Sequence, residues 1–404
     1  MKISNLFIFG LALLATQKIF WIDFFGSNLS IFDVCLVVLT PLMFFCLVYQ
    51  LPKLSFRWIF FLYFALLIAI LNLIFSLDFN GTLKNFVSLS MKISSIALVI
   101  YVASDWQSLK RVIDIYCRGV MIIIALFALP QFYAGEAIVG PFVNRNEMLM
   151  YAVPVSVLSA SFFIMRRGVT DLLVLVASLF IILVSRGRAG VAVVLFSLIA
   201  VVFLLYTYVS EIRTVLKAYV SLSVLSISLF AFFAVLYLPE LMLYYHDRYL
   251  ISAFNEVEGG YGSFSHREVA LHGVWASFID NPFLGIGLGG FRAVSGLYTD
   301  LTSYGSEIMP HNTYAGLLSE TGVLGFSVFI VFLIIPFMMI QLTSLSSEWR
   351  FVILSLRLGF FSSLLFAITY DSFSGYVIWL QWAILYAASR LARKNSQIGE
   401  CDVS

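Results

Sequence analysis

The chain has 404 residues, of which 61% are hydrophobic and 11% charged, with a mean hydropathy of +1.00. A soluble globular chain carries nearer a quarter of charged residues, and the apolar residues here fall in blocks of about twenty, the length that crosses a hydrocarbon core about 30 Å thick, so a soluble globule is excluded. Twenty-four Lys and Arg against 22 Asp and Glu leave a net charge of +2, which excludes a global field that recruits nucleic acid.

In chain order the pattern predicts an all-α polytopic membrane protein of about twelve transmembrane helices. They fall at residues 3–22, 29–49, 58–77, 86–103, 112–130, 146–165, 172–185, 190–209, 219–238, 312–340, 351–370 and 376–389. The first, ISNLFIFGLALLATQKIFWI, lacks a small-x-small cleavage site and is read as a retained span. Alternate connections divide the cations unevenly. Lys2, Lys53, Arg57, Lys110, Arg111, Arg166, Arg167, Arg213, Lys217, Arg350, Arg390, Arg393 and Lys394 collect on one side, against Lys18, Lys84, Arg145, Arg186 and Arg188 in the short loops opposite. Cation-rich loops stay cytoplasmic, which puts both termini inside. Cys35, Cys46 and Cys117 lie in apolar blocks and Cys401 in the tail with no CxxC spacing, so neither a disulfide framework nor a zinc site is indicated.

One connection is unlike the rest, and it divides the chain into residues 1–238, 239–311 and 312–404. The outer loop of about 70 residues between the ninth and tenth spans holds all four histidines (His246, His266, His272, His311), ten of the 25 glycines, eight acids and three arginines, and no lysine. Within it, SFSHREVALHGVWASFIDNP predicts an amphipathic helix. Ser265 and Glu268 have capping-box spacing, Leu271, Val274, Trp275 and Phe278 recur at helical intervals, and Asn281-Pro282 ends the run. Its apolar face rests either on the membrane surface or on the helix bundle. Arg267 falls in the first turn, where free N–H groups and the helix dipole favour an anion such as phosphate.

Two further places carry polar groups where a membrane chain pays for them. Arg186 and Arg188, in LVSRGRAGVAV, lie at the outer end of a short span. They bind lipid headgroups, or they clamp an anionic group with guanidinium forks that match phosphate oxygens. His311 opens PHNTYAGLLSETGVLGF, with Asn312 marking a helix start, Tyr314 one turn on, and Gly322 and Gly325 forming a G-x-x-G suited to close helix packing. His311 is either a structural interfacial residue or a base, since neutral imidazole accepts a proton near neutral pH. The glycines of NPFLGIGLGGF have GxGxxG-like spacing but follow a helix and open no βαβ unit, so they shape a tight turn instead of binding a dinucleotide. Arg118 and Arg357 are near enough to span ends to snorkel, Lys92 is deeper and serves either function or an interhelical contact, and the outer acids Glu268, Asp280 and Asp371 make no metal pattern.

Taken in order, PFVNRNEMLMYAVP, SRGRAG, HREVALHGVWASFIDNPFLGIGLGGF and HNTYAGLLSETGVLG resemble the O-antigen ligase and O-antigen polymerase superfamily across about residues 140 to 330. The resemblance implies a metal-independent, cofactor-free, inverting glycosyltransferase in the bacterial inner membrane, acting at its periplasmic face. It implies transfer of undecaprenyl-diphosphate-linked glycan to an acceptor hydroxyl, on the lipid A core for a ligase or on another lipid-linked unit for a polymerase. Carried onto this chain, Arg186 and Arg267 hold the diphosphate and His311 is the catalytic base. Arg188, Arg145, Asn312 and Tyr314 complete the substrate-binding set, with Arg188 an alternative to Arg186. The competing class is a transporter or flippase for a lipid-linked or anionic substrate, which calls for repeated halves and discontinuous helices; the sequence displays neither.

Overall fold

A computed structural model describes residues 21–24, 27–30, 56–134, 138–142, 144–185, 187–208, 263–299, 308–342, 345–370 and 375–401. Two short strands, β1 (Trp21–Phe24) and β2 (Ser27–Ser30), pair antiparallel, with Trp21 opposite Ser30 and Phe24 opposite Ser27. The loop expected between the first two spans is thus a hairpin, a small departure from an all-α chain, because backbone groups outside a helix still need partners. The rest of spans one and two, and span nine, lie outside the described residues.

The remaining elements are helices: α1 (Phe56–Ile74), α2 (Phe79–Val102), α3 (Trp106–Tyr133), α4 (Arg145–Arg166), α5 (Val169–Val184), α6 (Arg188–Tyr208), α7 (Ser263–Asp280), α8 (Phe291–Val294), α9 (Thr313–Met338), α10 (Ser347–Phe366) and α11 (Val377–Cys401). Among the described residues, α2, α3, α4, α9 and α10 are long and apolar enough to cross a membrane. Three more apolar stretches, in α1, α5 and α6, are shorter. The chain is therefore a multi-pass helical membrane protein.

Position in the bundle follows side-chain size and polarity. In α4 every residue from Met148 to Phe162 is buried, many of them small (Ala152, Ser156, Ser159, Ala160), which lets α3, α5, α6 and α10 close around it. In α11 the buried run from Val377 packs on α2, α3, α9 and α10. Its Gln381 donates to the Tyr116 hydroxyl and accepts from the Ser363 hydroxyl, satisfying a buried amide between three helices. Lys92 is buried with its ammonium 5.8 Å from the Tyr376 ring, an interhelical cation–π contact.

The arginines near span ends behave in two ways. Arg118 stays partly exposed and donates to the Thr170 hydroxyl, as snorkelling requires. Arg357 does not snorkel. Its Nη2 donates to the carbonyls of Phe337 and Ile340 at 2.7 Å, closing the C-terminal end of α9, where helix carbonyls lack partners.

One helix is broken. Gly322, inside α9, has φ 61° and ψ −173°, so this chain does contain a discontinuous helix that its sequence does not announce. Residues 282–290 fill the gap. Val323 and Leu324 donate their N–H groups to the carbonyls of Pro282 and Phe283, while Ile286 and Gly287 donate to those of Ser319 and Glu320. From α1, Asn72, 2% exposed, donates to the carbonyls of Leu284 and Glu320 and accepts from the N–H of Leu288. A break inside a membrane protein persists only where such groups are met. The G-x-x-G therefore opens α9 to a loop, a different use from the helix packing expected of it. Replacing Gly322 by alanine puts a Cβ 2.3 Å from the Phe283 backbone at a φ that disfavours side chains. The expected cost is at least about 2 kcal/mol, read as a lower unfolding midpoint in detergent.

Candidate functional site

The site assembles at the end of the bundle where α4, α6 and α9 begin and α10 finishes. At the start of α9, Asn312 is the N-cap, its side-chain oxygen accepting from the N–H groups of Tyr314 and Ala315 at 3.0 Å each. His311, just before the cap, is half-exposed and has φ 51°, a left-handed conformation uncommon for a residue with a side chain. What holds it there is the anchoring of the next residues. The Thr313 N–H donates to the Ala367 carbonyl at 2.9 Å and its hydroxyl to the Tyr370 carbonyl at 2.8 Å. The Tyr314 hydroxyl donates to the Leu364 carbonyl at 2.8 Å, directing that polar atom at α10.

Tyr370 ties this corner to α4. Its hydroxyl accepts from the Asn144 amide and donates to Glu147 Oε1, both at 3.2 Å. Asn144 in turn caps α4, accepting from the Glu147 N–H at 3.0 Å, and the next residue is Arg145. So Arg145 and His311 begin two helices that one tyrosine braces together. Asn144, Glu147 and Tyr370 were not singled out from the sequence, although Asn144 and Glu147 have the N-cap-to-N3 spacing that marks a helix start. Tyr370 carries no such signal. Tyr370→Phe keeps the ring and the carbonyl while removing the hydroxyl, with an expected loss of about 1 kcal/mol in an unfolding titration.

The SRGRAG turn reaches the same region through its glycines. Gly187 and Gly190 are pressed on Leu149 of α4, so close that a Cβ at either would come within 3 Å of its methyl groups. Leu149 lies one turn beyond Arg145. Arg188 begins α6, whereas Arg186 lies outside the described residues.

Arg267 arrives on α7. This helix begins at Ser263, so Ser265 lies inside its first turn and Arg267 in its second. The helix thus starts three residues earlier than a cap at Ser265 predicts, so Ser265 is not its cap and Arg267 lies beyond the first turn with its free N–H groups. Small residues on one face of α7 (Ala270, Gly273, Val274, Ser277) are buried, and the hydroxyls of Ser277 and Ser319 are hydrogen-bonded at 2.5 Å. The chain then continues so that Pro282 meets Val323, which makes α7 and α9 parallel. Arg267 precedes Ser277, and His311 precedes Ser319, by about 15 Å and about 12 Å along the helix axes; both are directed to the same end of the pair.

The glycine-rich turn is closed to a nucleotide. Gly285, with φ 71°, sits 2.3 to 2.5 Å in Cβ terms from the backbone at Glu320 and Thr321, and the Gly289 N–H is given to the Glu320 carboxylate at 2.8 Å. The turn is structural, as its sequence context suggests. Among the described residues no group of three or more His, Cys, Asp or Glu side chains could hold a metal ion.

These features define a polytopic membrane protein whose polar groups converge where several helices start, with arginines and a histidine brought in from separate elements. Residues 173–330 match the family model for O-antigen ligase, in line with the superfamily that the chain's motifs resemble. A comparison with curated proteins finds no match.

Proposed function

We propose that the protein is a membrane glycosyltransferase of the ligase or polymerase type, moving glycan from an undecaprenyl-diphosphate carrier to an acceptor hydroxyl at the periplasmic face of the bacterial inner membrane. The acceptor is the lipid A core or another lipid-linked unit. The observation that carries the reading is the convergence of the Arg145, Arg188, Arg267 and His311 segments at one end of the bundle, within a chain whose residues 173–330 match the O-antigen ligase family.

The chemistry follows from the residue types. Breaking the sugar–phosphate bond leaves a diphosphate whose growing negative charge must be met, and preorganised guanidinium groups supply that without water reorganisation. Arg186 and Arg267 hold the diphosphate in this scheme, with Arg145 and Arg188 beside them. His311 takes the proton of the acceptor hydroxyl as its oxygen attacks the anomeric carbon from the opposite face, which inverts the configuration. No metal is required. Asn312 and Tyr314 line the approach to His311 through the helix start they build. An amphipathic donor, with its lipid in the bilayer and its sugar in water, explains a site at the end of the bundle.

Deleting the gene and running surface glycan on a gel tests the reading. Loss of all polymer attached to lipid A indicates a ligase, and a core carrying a single repeat unit indicates a polymerase. Glycan of unchanged length and attachment would rule out both.

A further inference from the structure

The end of the bundle opposite His311 carries a second group of arginines. Helix α4 starts at Arg145, beside the site, and ends at Arg166, about 30 Å away along its axis. There α4 turns into α5 next to α3. Residues 110–118 and 166–171 bring together five cations (Lys110, Arg111, Arg118, Arg166 and Arg167) and two carboxylates, Asp114 and Asp171. Arg166 closes off Asp114, its Nη1 donating to the carboxylate at 2.9 Å while its guanidinium lies 4.4 Å from the centre of the Phe162 ring.

Arg118 is left open. Its Nη2 donates to the Thr170 hydroxyl at 3.1 Å and stands 4.0 Å from Asp171, too far for a hydrogen bond. A guanidinium carries five N–H donors in a flat fork, and among the described residues Arg118 makes no other hydrogen bond. Its side chain is 42% exposed, whereas Asp171 is buried and leaves the outer side of the fork uncovered. Next to it α5 begins at Gly168, a cap without a side-chain hydrogen bond, so the positive end of that helix and its free N–H groups favour an anion at the same place.

An apolar groove leads away from this fork along the seam of α3 and α5. Arg118 meets Thr170, and further along Phe132 meets Phe180 with ring centroids 5.5 Å apart, so the two helices run parallel. Seven residues after the first pair, about two turns and therefore on the same sides, come Ala125 and Ala177, both half-buried. Their small side chains form a floor. Ile122 and Leu129 of α3 and Leu173 of α5, all exposed, rise beside it, and the Phe132–Phe180 pair closes its far end. From Arg118 to Phe132 the seam is about 21 Å long, half of a bilayer about 40–45 Å thick with its headgroups.

We propose that this seam binds one anionic phospholipid, with the phosphate on the Arg118 fork and the Thr170 hydroxyl and one acyl chain over Ala125 and Ala177. Guanidinium forks match phosphate oxygens, and five cations against two carboxylates leave a local charge of +3, which selects a headgroup of net negative charge over a zwitterionic one. Basic pockets between membrane helices bind such lipids on the same grounds. The seam lies at the far end of the bundle from the proposed transfer site and does not depend on that reaction.

The test uses the full-length protein, stripped of lipid in detergent and eluting as a single folded species, with bound lipid counted by native mass spectrometry. The first dioleoyl phosphatidylglycerol is expected to bind several-fold more tightly than dioleoyl phosphatidylcholine. Arg118→Gln should abolish that difference, and Lys394→Gln, which removes an exposed cation of α11, should leave it intact. Ala177→Leu fills the floor without touching a charge and should weaken phosphatidylglycerol binding several-fold, which keeps the test standing if Arg118→Gln does not fold. Equal binding of the two lipids, or a preference that survives Arg118→Gln, would overturn the proposal. So would competition by glycerophosphoglycerol at the concentration of the lipid, because the groove would then add nothing to a phosphate site. Binding of neither lipid would leave the seam to protein and overturn it too. The readout is lipid mass and not transfer, so its failure is separate from failure of the proposed function.

Discussion

His311→Ala is expected to lower glycan transfer by about 10²- to 10⁴-fold, the usual contribution of a positioned base, while the protein still inserts and binds lipid-linked donor. The helix start explains why folding should survive. Asn312 caps α9, and Thr313 and Tyr314 anchor it to α10, so none of these bonds uses the imidazole. Removing the side chain also relaxes little, since alanine in place of histidine keeps a Cβ at the same positive φ. Wild-type turnover should fall at acidic pH, because imidazolium has no lone pair to take a proton. The measurement is transfer by purified protein at saturating donor from about pH 5 to about pH 9. Near wild-type turnover by His311→Ala would move proton removal to another group or to water.

Arg267→Ala is expected to cost about 10²- to 10³-fold in turnover, the range for removing one group that meets charge developing in a transition state. Arg267→Lys should keep part of the activity, because it retains the charge and loses the two-pronged donor geometry. The same order, arginine above lysine above alanine, is expected at Arg186, with Arg188 as the substitute if Arg186→Ala is tolerated. The half-exposed side chain of Arg267 lies on a helix held by Ala270, Gly273, Val274 and Ser277, so the variants should express and sediment like the parent. Full glycan assembly by a well-expressed Arg267→Ala protein would remove this residue from the site.

The class of the molecule was legible from residue types alone. Apolar blocks of span length leave a chain few alternatives, and the expected spans from residue 58 onward overlap helices wherever the residues are described. Boundaries drifted most at the end of α11, which runs to Cys401 where a span to 389 is expected, and next at helix starts capped by a polar residue. Asp78 caps α2 and moves its start well before residue 86, with a side-chain oxygen accepting from the Gly81 N–H. The motif residues were legible too, because histidine and arginine at an apolar boundary stand out against their surroundings. Tyr370 and Asn72 were not: one is an ordinary aromatic near a span end, the other an amide in an apolar run, and both matter through partners more than 200 residues away.

By itself, then, the sequence determined a multi-pass helical membrane protein, a helix through residues 263–280, and which side chains are of a type that binds anions or moves a proton. These follow from hydrophobicity, charge and helical period, which act over one or two turns. Only the tertiary structure decided that α9 is broken at Gly322 and sealed by a loop that follows α7, that Tyr370 braces the starts of α4 and α9, and that α7 turns its small face inward. The reason is that unmet backbone groups and packing volume are satisfied wherever the fold brings a partner. Gly322 finds its neighbour at Phe283 and Gly273 at Thr299, and no local pattern in the chain encodes either meeting.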